Sequence, residues 1–209
     1  MYRNAPWIAV FLFVALADPR LATAEKFQCP VGTSVRGEPP PEGRKAWCEL
    51  PDGIQHGPSL SWYEVDRPKA EAHFEQGKLQ GVFKLWHANG QLAEEGNYIA
   101  DQRDGTFSTW SDDGVKLLEQ NFSDDKRNGA IKRWYPDGQL QFFEHYVDGE
   151  KDGPAVAYFE NGQMEAEGVF RKGQFHGTWM GWYPDGRKRK VAEFVDGDRI
   201  SSETFSDEY

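Results

Sequence analysis

The side chains able to do chemistry are numerous but scattered. The chain holds 34 Asp and Glu, five His and two Cys among 209 residues. Paired carboxylates can serve acid–base catalysis, and His with carboxylates can hold a metal. Neither use has a motif here: the sequence contains no Gly-x-Ser-x-Gly elbow, phosphate-binding glycine loop, His-Glu-x-x-His or Cys-x-x-Cys. His56 and His176 each precede a glycine of a regular series, where Gln80, Asp104, Asn128 and Asp152 stand elsewhere. Those are polar turn places. His73 and His145 share a phase but lie three periods apart, too far to share one ion. Acidic stretches such as 148–152 lack the alternating oxygen ligands of an EF-hand loop. The sequence thus predicts no catalytic residue, no cofactor and no metal, and a non-enzymatic protein.

Two cysteines do have an evident use. Cys29 and Cys48 enclose eighteen residues, including Pro39, Pro40 and Pro41. In an oxidising compartment they pair, closing a loop worth about 3 kcal/mol of chain entropy. Two lone thiols would supply only half a zinc shell. The N-terminus points to such a compartment. Arg3 precedes an apolar run over residues 7–17, and Ala22-Thr23-Ala24 gives the small-x-small pattern of a cleavage site. The run is shorter than the about 20 residues that span a bilayer. We expect residues 1–24 to be a signal peptide, cleaved after Ala24, and the mature chain to be periplasmic or secreted.

The elements that position these residues follow from a period. Gly57, Gly81, Gly105, Gly129, Gly153 and Gly177 are spaced by 24 without insertion or deletion. Five residues after each stands Trp62, Trp86, Trp110, Trp134, Tyr158 or Trp182, and seventeen after each stands Phe74, Tyr98, Phe122, Tyr146, Phe170 or Phe194. A second glycine follows Asn89, Asp113, Asp137, Asn161 and Asp185, whereas the first unit has Asp66-Arg67-Pro68 there. Asx-Gly is a strong hairpin signal, because both residues tolerate positive φ. Each unit therefore reads as a strand entered at the period glycine, a tight Asx-Gly turn, a second strand and a polar loop, such as 101–104, 125–128 or 149–152. Glycine roughly every dozen residues disfavours helix. The expected fold is all-β: a single-layer antiparallel β-hairpin repeat solenoid of six 24-residue units, stable by stacking where one hairpin would be marginal. The parity of the turns decides whether the two aromatic rows share a face. The expected organisation is a cysteine-bridged cap over 25–56, repeats over 57–200 and an acidic tail over 201–209.

Such an array has ends to protect and faces to use. Arg187-Lys188-Arg189-Lys190 enters the last strand foreseen, where charge would block further pairing. A basic docking patch is the other use of that run. The net charge of −10 opposes binding to nucleic acid and direct binding to anionic membranes. Fourteen residues after the period glycine, Glu71, Glu95, Glu119 and Glu167 form an acidic row that Phe143, beside Phe142, interrupts. An apolar residue in an exposed acidic stripe marks a contact site, so Phe142 and Phe143 are the candidate partner contacts.

Trp134-Tyr135-Pro136-Asp137-Gly138-Gln139-Leu140, followed by Tyr146-Val147-Asp148-Gly149-Glu150-Lys151-Asp152-Gly153, resembles the MORN repeat family. The resemblance is closest to the bacterial variant in YwqK-like antitoxin proteins and runs from about Trp47 to Ile200. It implies a β-hairpin solenoid used in protein or membrane association, with no catalytic motif. The expected function is an exported scaffold for an unknown protein or cell-envelope component. The alternative is an antitoxin-like or immunity-type inhibitor of one toxin.

Overall fold

A computed structural model describes residues 27–205. The expected signal peptide and its cleavage point after Ala24 lie outside the described residues, as do residues 206–209. Short alternating segments between glycine turns make strands throughout, and no helix occurs among the described residues. In the cap, β1 (Ser34–Glu38) and β2 (Lys45–Glu49) form a hairpin. The array continues as β3 (Gln55–Glu64), β4 (Arg67–Glu75), β5 (Lys78–Leu79), β6 (Gly81–Trp86), β7 (Leu92–Ile99), β8 (Gln102–Arg103) and β9 (Gly105–Trp110). It is completed by β10 (Lys116–Ser123), β11 (Lys126–Trp134), β12 (Leu140–Val147), β13 (Glu150–Tyr158), β14 (Met164–Arg171), β15 (Gln174–Trp182), β16 (Lys188–Val195) and β17 (Asp198–Thr204). β5 and β6 are halves of one broken strand along β4, and β8 and β9 are the same along β7.

The strands join in chain order into one antiparallel sheet, a meander. The register repeats with the period: Gly57 faces Phe74, Gly81 Tyr98, Gly105 Phe122, Gly129 Tyr146, Gly153 Phe170 and Gly177 Phe194. Cys29 and Cys48 are bonded, with Cα atoms 5.6 Å apart. The bridge presses the cap onto the array, and Pro30 fills the space where a Cβ of Gly57 would sit, 2.7 Å from it.

The turns differ from the expectation in kind and place. At Asn89-Gly90 only the glycine has positive φ. Gly90 N donates to the His87 carbonyl (2.9 Å) and His87 N to the Gln91 carbonyl (2.8 Å), a three-residue loop with a left-handed glycine at its end. The Asx residue is there for its acceptor: Asn89 Oδ1 accepts from Gln91 N, Asp137 Oδ1 from Gln139 N and Asn161 Oδ1 from Gln163 N. The tight two-residue turns, with both φ positive, fall where polar loops were expected: Ala100-Asp101, Asp124-Asp125 and Asp148-Gly149. Half of the loop expected at 101–104 is β8, and most of those at 125–128 and 149–152 is the start of β11 or β13. Gly129, Gly153 and Gly177 consequently lie inside β11, β13 and β15 rather than at a strand entry. Their positive φ accompanies a register shift against the preceding strand, which bends the sheet.

The C-terminal end also departs from expectation. Residues 201–204 belong to β17, which pairs with β16, and are not a tail. The basic run is therefore in or beside the penultimate strand, and the edge is β17, exposed along its whole length. Polar Ser-Ser-Glu-Thr carries little strand signal, yet it covers the open edge of β16.

The registers place the two aromatic rows on opposite faces. Tyr146 pairs with Gly129, an odd five residues from Trp134, so the rings point to opposite sides. The +17 row is the more buried: Phe122, Tyr146 and Phe170 are buried, whereas Trp86, Trp110, Trp134, Tyr158 and Trp182 are half-buried. The buried face, here the core face, holds a further row two residues after the period glycine, of mixed residue type: Phe83, Phe107, Ile131, Ala155 and Trp179. Rings meet edge-on in sequence, Phe83 to Tyr98 (5.9 Å), Tyr98 to Phe107 (5.2 Å) and Phe107 to Phe122 (5.3 Å). Cations fill the gaps, with Arg103 over Phe122, Arg127 over Tyr146 and Lys151 over Phe170.

Large residues of this row lie on glycines. A Cβ on Gly96 would stand 2.2 Å from the Phe107 ring, and one on Gly168 2.1 Å from Trp179. We predict that Gly96→Ala destabilises the fold by about 1–3 kcal/mol through overpacking. Phe107→Leu should cost less in the Gly96→Ala background than alone. A double-mutant cycle from urea unfolding reads the coupling, and strict additivity would refute the contact.

Candidate interaction surface

On the core face, two transverse rows decide the relief. Four inward positions per unit, at 2, 4, 13 and 15 residues after the period glycine, lie side by side across a hairpin. Most units place at least one large side chain there. Two do not. The first has Ser59, Ser61, Ala70 and Ala72, and the fifth has Ala155, Ala157, Ala166 and Gly168. Each leaves a hollow. The first, about 470 Å³, is mixed in polarity, lined by Trp62 and Phe74 as well as by Arg44, Lys45 and Lys69. The second, about 280 Å³, is an apolar notch between Phe142 on one side and Phe170, Phe175 and Trp179 on the other. It is below the size of a typical drug-sized ligand site and suits one or two side chains.

Phe142 and Phe143 are neighbours on β12 and therefore point to opposite faces. Phe142 pairs with Arg133 and Ala157 and walls the notch, under the Arg133 guanidinium at 5.4 Å. Phe143 belongs to the other face, the outer face, between Lys132 and Val156. It is half-buried. The two do not form one patch. The outer row reads Glu71, Lys84, Glu95, Ser108, Glu119, Lys132, then Phe143, Val156, Glu167, Met180 and Val191. Its first half is a charge ladder, with Lys84 3.3 Å from Glu95 and Lys116 2.8 Å from Glu119. Its second half is apolar, interrupted by Glu167.

The carboxylates that shift all do so downward. Lys116 donates to Glu119 and holds its carboxyl below the ordinary range, with burial working against it and Lys132 adding attraction. Side-chain and backbone hydrogen bonds from Arg103 do the same for Asp125. These are solvated ion pairs. Burial raises the Tyr98 and Tyr146 hydroxyls, and for Tyr146 the bond to Glu144 adds to it. No group of three or more metal-ligating side chains occurs among the described residues. His56 Nδ1 accepts from the turn at Gln76 N, the place that Gln80 Oε1 serves for Ala100 N, so this histidine does turn work.

Three segments match a family model described as MORN repeat variant: residues 79–100, 127–148 and 151–172. No curated protein matches the chain. Among solved structures the chain is similar to a chain of the crystal structure of the GtfA/B complex bound to UDP and GlcNAc. That match has 11% identity and a TM-score of 0.22 over 71% of this chain. This chain spans 26% of the length of that one, and the superposition is too loose to bear on fold or function.

The Glu119 pair gives a pH test. A depressed carboxyl contributes stability that is fully present above the ordinary carboxylate range and is lost as pH falls through the depressed value. The pair is partly exposed, so the effect is modest and shrinks with salt. Glu119→Gln should lower the melting temperature near neutrality and converge with the parent in acid. Parallel curves down to the acid transition would show that the pair contributes nothing.

Proposed function

For a chain built of MORN-variant repeats, we propose a non-enzymatic scaffold that holds a protein or cell-envelope component outside the cytoplasm. The observation that carries this is the apolar notch on the core face, formed where Ala155, Ala157, Ala166 and Gly168 are small together. Repeat arrays bind through extended surfaces, and a notch walled by Phe142 and Trp179 suits an apolar anchor side chain. Export is supported by the short apolar run behind Arg3, by Ala22-Thr23-Ala24 and by the Cys29–Cys48 bridge. The acidic balance weighs against nucleic acid and anionic lipid as partners. A toxin-neutralising role is the second reading, favoured by the resemblance to YwqK-like proteins, and it would use the same notch against one toxin.

Two outcomes are expected. The exported protein should begin at Glu25 on N-terminal sequencing, and retention of residues 1–24 would remove the export reading. Affinity capture from envelope extract should enrich one partner. Filling the notch with Ala157→Leu and Ala166→Leu should abolish that enrichment while leaving circular dichroism and melting near the parent. Equal enrichment by a folded, filled variant would overturn the notch as the contact site. Capture of a single toxin whose activity the protein blocks would favour the second reading.

A further inference from the structure

We propose that two copies of this chain pair face to face through the outer face of β11, β12, β13 and β14, about a twofold axis parallel to the strands and midway between β12 and β13. The surface is the transverse row Lys132, Phe143, Val156, Glu167, one residue from each strand, each a cross-strand partner of the next.

The row is complementary to itself reversed. Turning it about that axis lays Lys132 over Glu167 of the second copy, Glu167 over Lys132 of the second copy, and Phe143 over Val156 twice. The flanking residues agree. Trp134 pairs with Leu140 and Tyr158 with Met164 on the same face. The same rotation sets Trp134 against Met164 of the second copy and Tyr158 against Leu140. A patch that meets itself this way is what a twofold dimer requires.

Glu167 is the observation that asks for a partner. Elsewhere in the outer row acids stand beside bases, as Glu95 does with Lys84 and Glu119 with Lys132. Glu167 lies between Val156 and Met180 instead. It is half-buried, and among the described residues its carboxylate has no ion pair and no hydrogen bond. Lys132 holds Glu119 only at 3.6 Å, and Glu119 is already bound to Lys116 at 2.8 Å. A carboxylate among apolar neighbours is costly until a cation reaches it. Two sheets packed face to face lie about 10 Å apart with strands within about 30°, a gap that a Lys and a Glu side chain span together. Pairing also covers Phe143, Val156 and the half-exposed tryptophan row.

The test is sedimentation velocity on the mature, disulfide-bonded protein, with melting curves for every variant. The parent should be dimeric. Glu167→Lys and Lys132→Glu should each weaken association by at least about tenfold, because each sets like charges opposite one another twice. The double variant K132E/E167K should dimerise again. So should an equimolar mixture of the two single variants, which restores both pairs between unlike chains. A parent that stays monomeric at the highest attainable concentration overturns the proposal. So do folded single variants that dimerise as the parent does, and so do singles that fail to rescue one another when mixed.

Discussion

A sheet of one layer has no second layer to bury against, and that constraint governs the rest of this molecule. Every apolar side chain must find its cover within its own face, from the strands on either side. The core face does so by fitting large against absent: the Phe107 ring lies on Gly96 and the Trp179 ring on Gly168. Where the ring column thins, arginine and lysine stems lie over the aromatic faces and keep their charge in water. The high aromatic content follows from this, as do the glycines at 96 and 168, whereas most other glycines serve turns and bulges. Rings supply area that a thin sheet otherwise lacks, and glycines supply the depth that lets rings lie flat.

The two rims follow the same rule, for backbone rather than side chains. Each two-residue turn is bonded to the strand that leaves the turn before it, Asp125 N to the Arg103 carbonyl, Gly149 N to that of Arg127 and Gly173 N to that of Lys151. On the opposite rim the Tyr63 hydroxyl donates to the Trp86 carbonyl and Tyr135 to that of Tyr158. Turn groups that water would otherwise serve are thus used to fix one hairpin on the next. The sequence can vary at the inward positions of a single unit without disturbing this frame, which is how one unit comes to carry a notch and another a charged hollow.

Much of the architecture was legible because it repeats. A glycine every 24 residues with an aromatic at fixed distance survives any uncertainty about a single strand. The hidden features were those in which residue type varies at constant geometry. The row from Phe83 to Trp179 includes Ile131 and Ala155, so no single residue class marks it. Turn type was misread because Asn89 serves as a side-chain acceptor, whereas Asp124 and Asp125 take the left-handed backbone themselves. β17 was missed because Ser, Glu and Thr gain strand structure from the edge they cover rather than from their own preference. Phe142 and Phe143, candidate contacts adjacent in sequence, are sent by strand alternation one to each face.

The disulfide lies at one end of this meander alone. At the N-terminal end Cys29 is tied to β2, and Pro30 is wedged against Gly57, so the first hairpins are riveted. At the other end β17 is held by β16, and just beyond it Phe205 N donates to the Arg189 carbonyl and the Tyr183 hydroxyl to the Phe205 carbonyl; no disulfide reinforces that end among the described residues. The array therefore has a mechanical polarity that its near-identical units do not. Because each hairpin is held mainly by its neighbours, unfolding under tension should proceed hairpin by hairpin from the C-terminal side towards the disulfide-bonded cap.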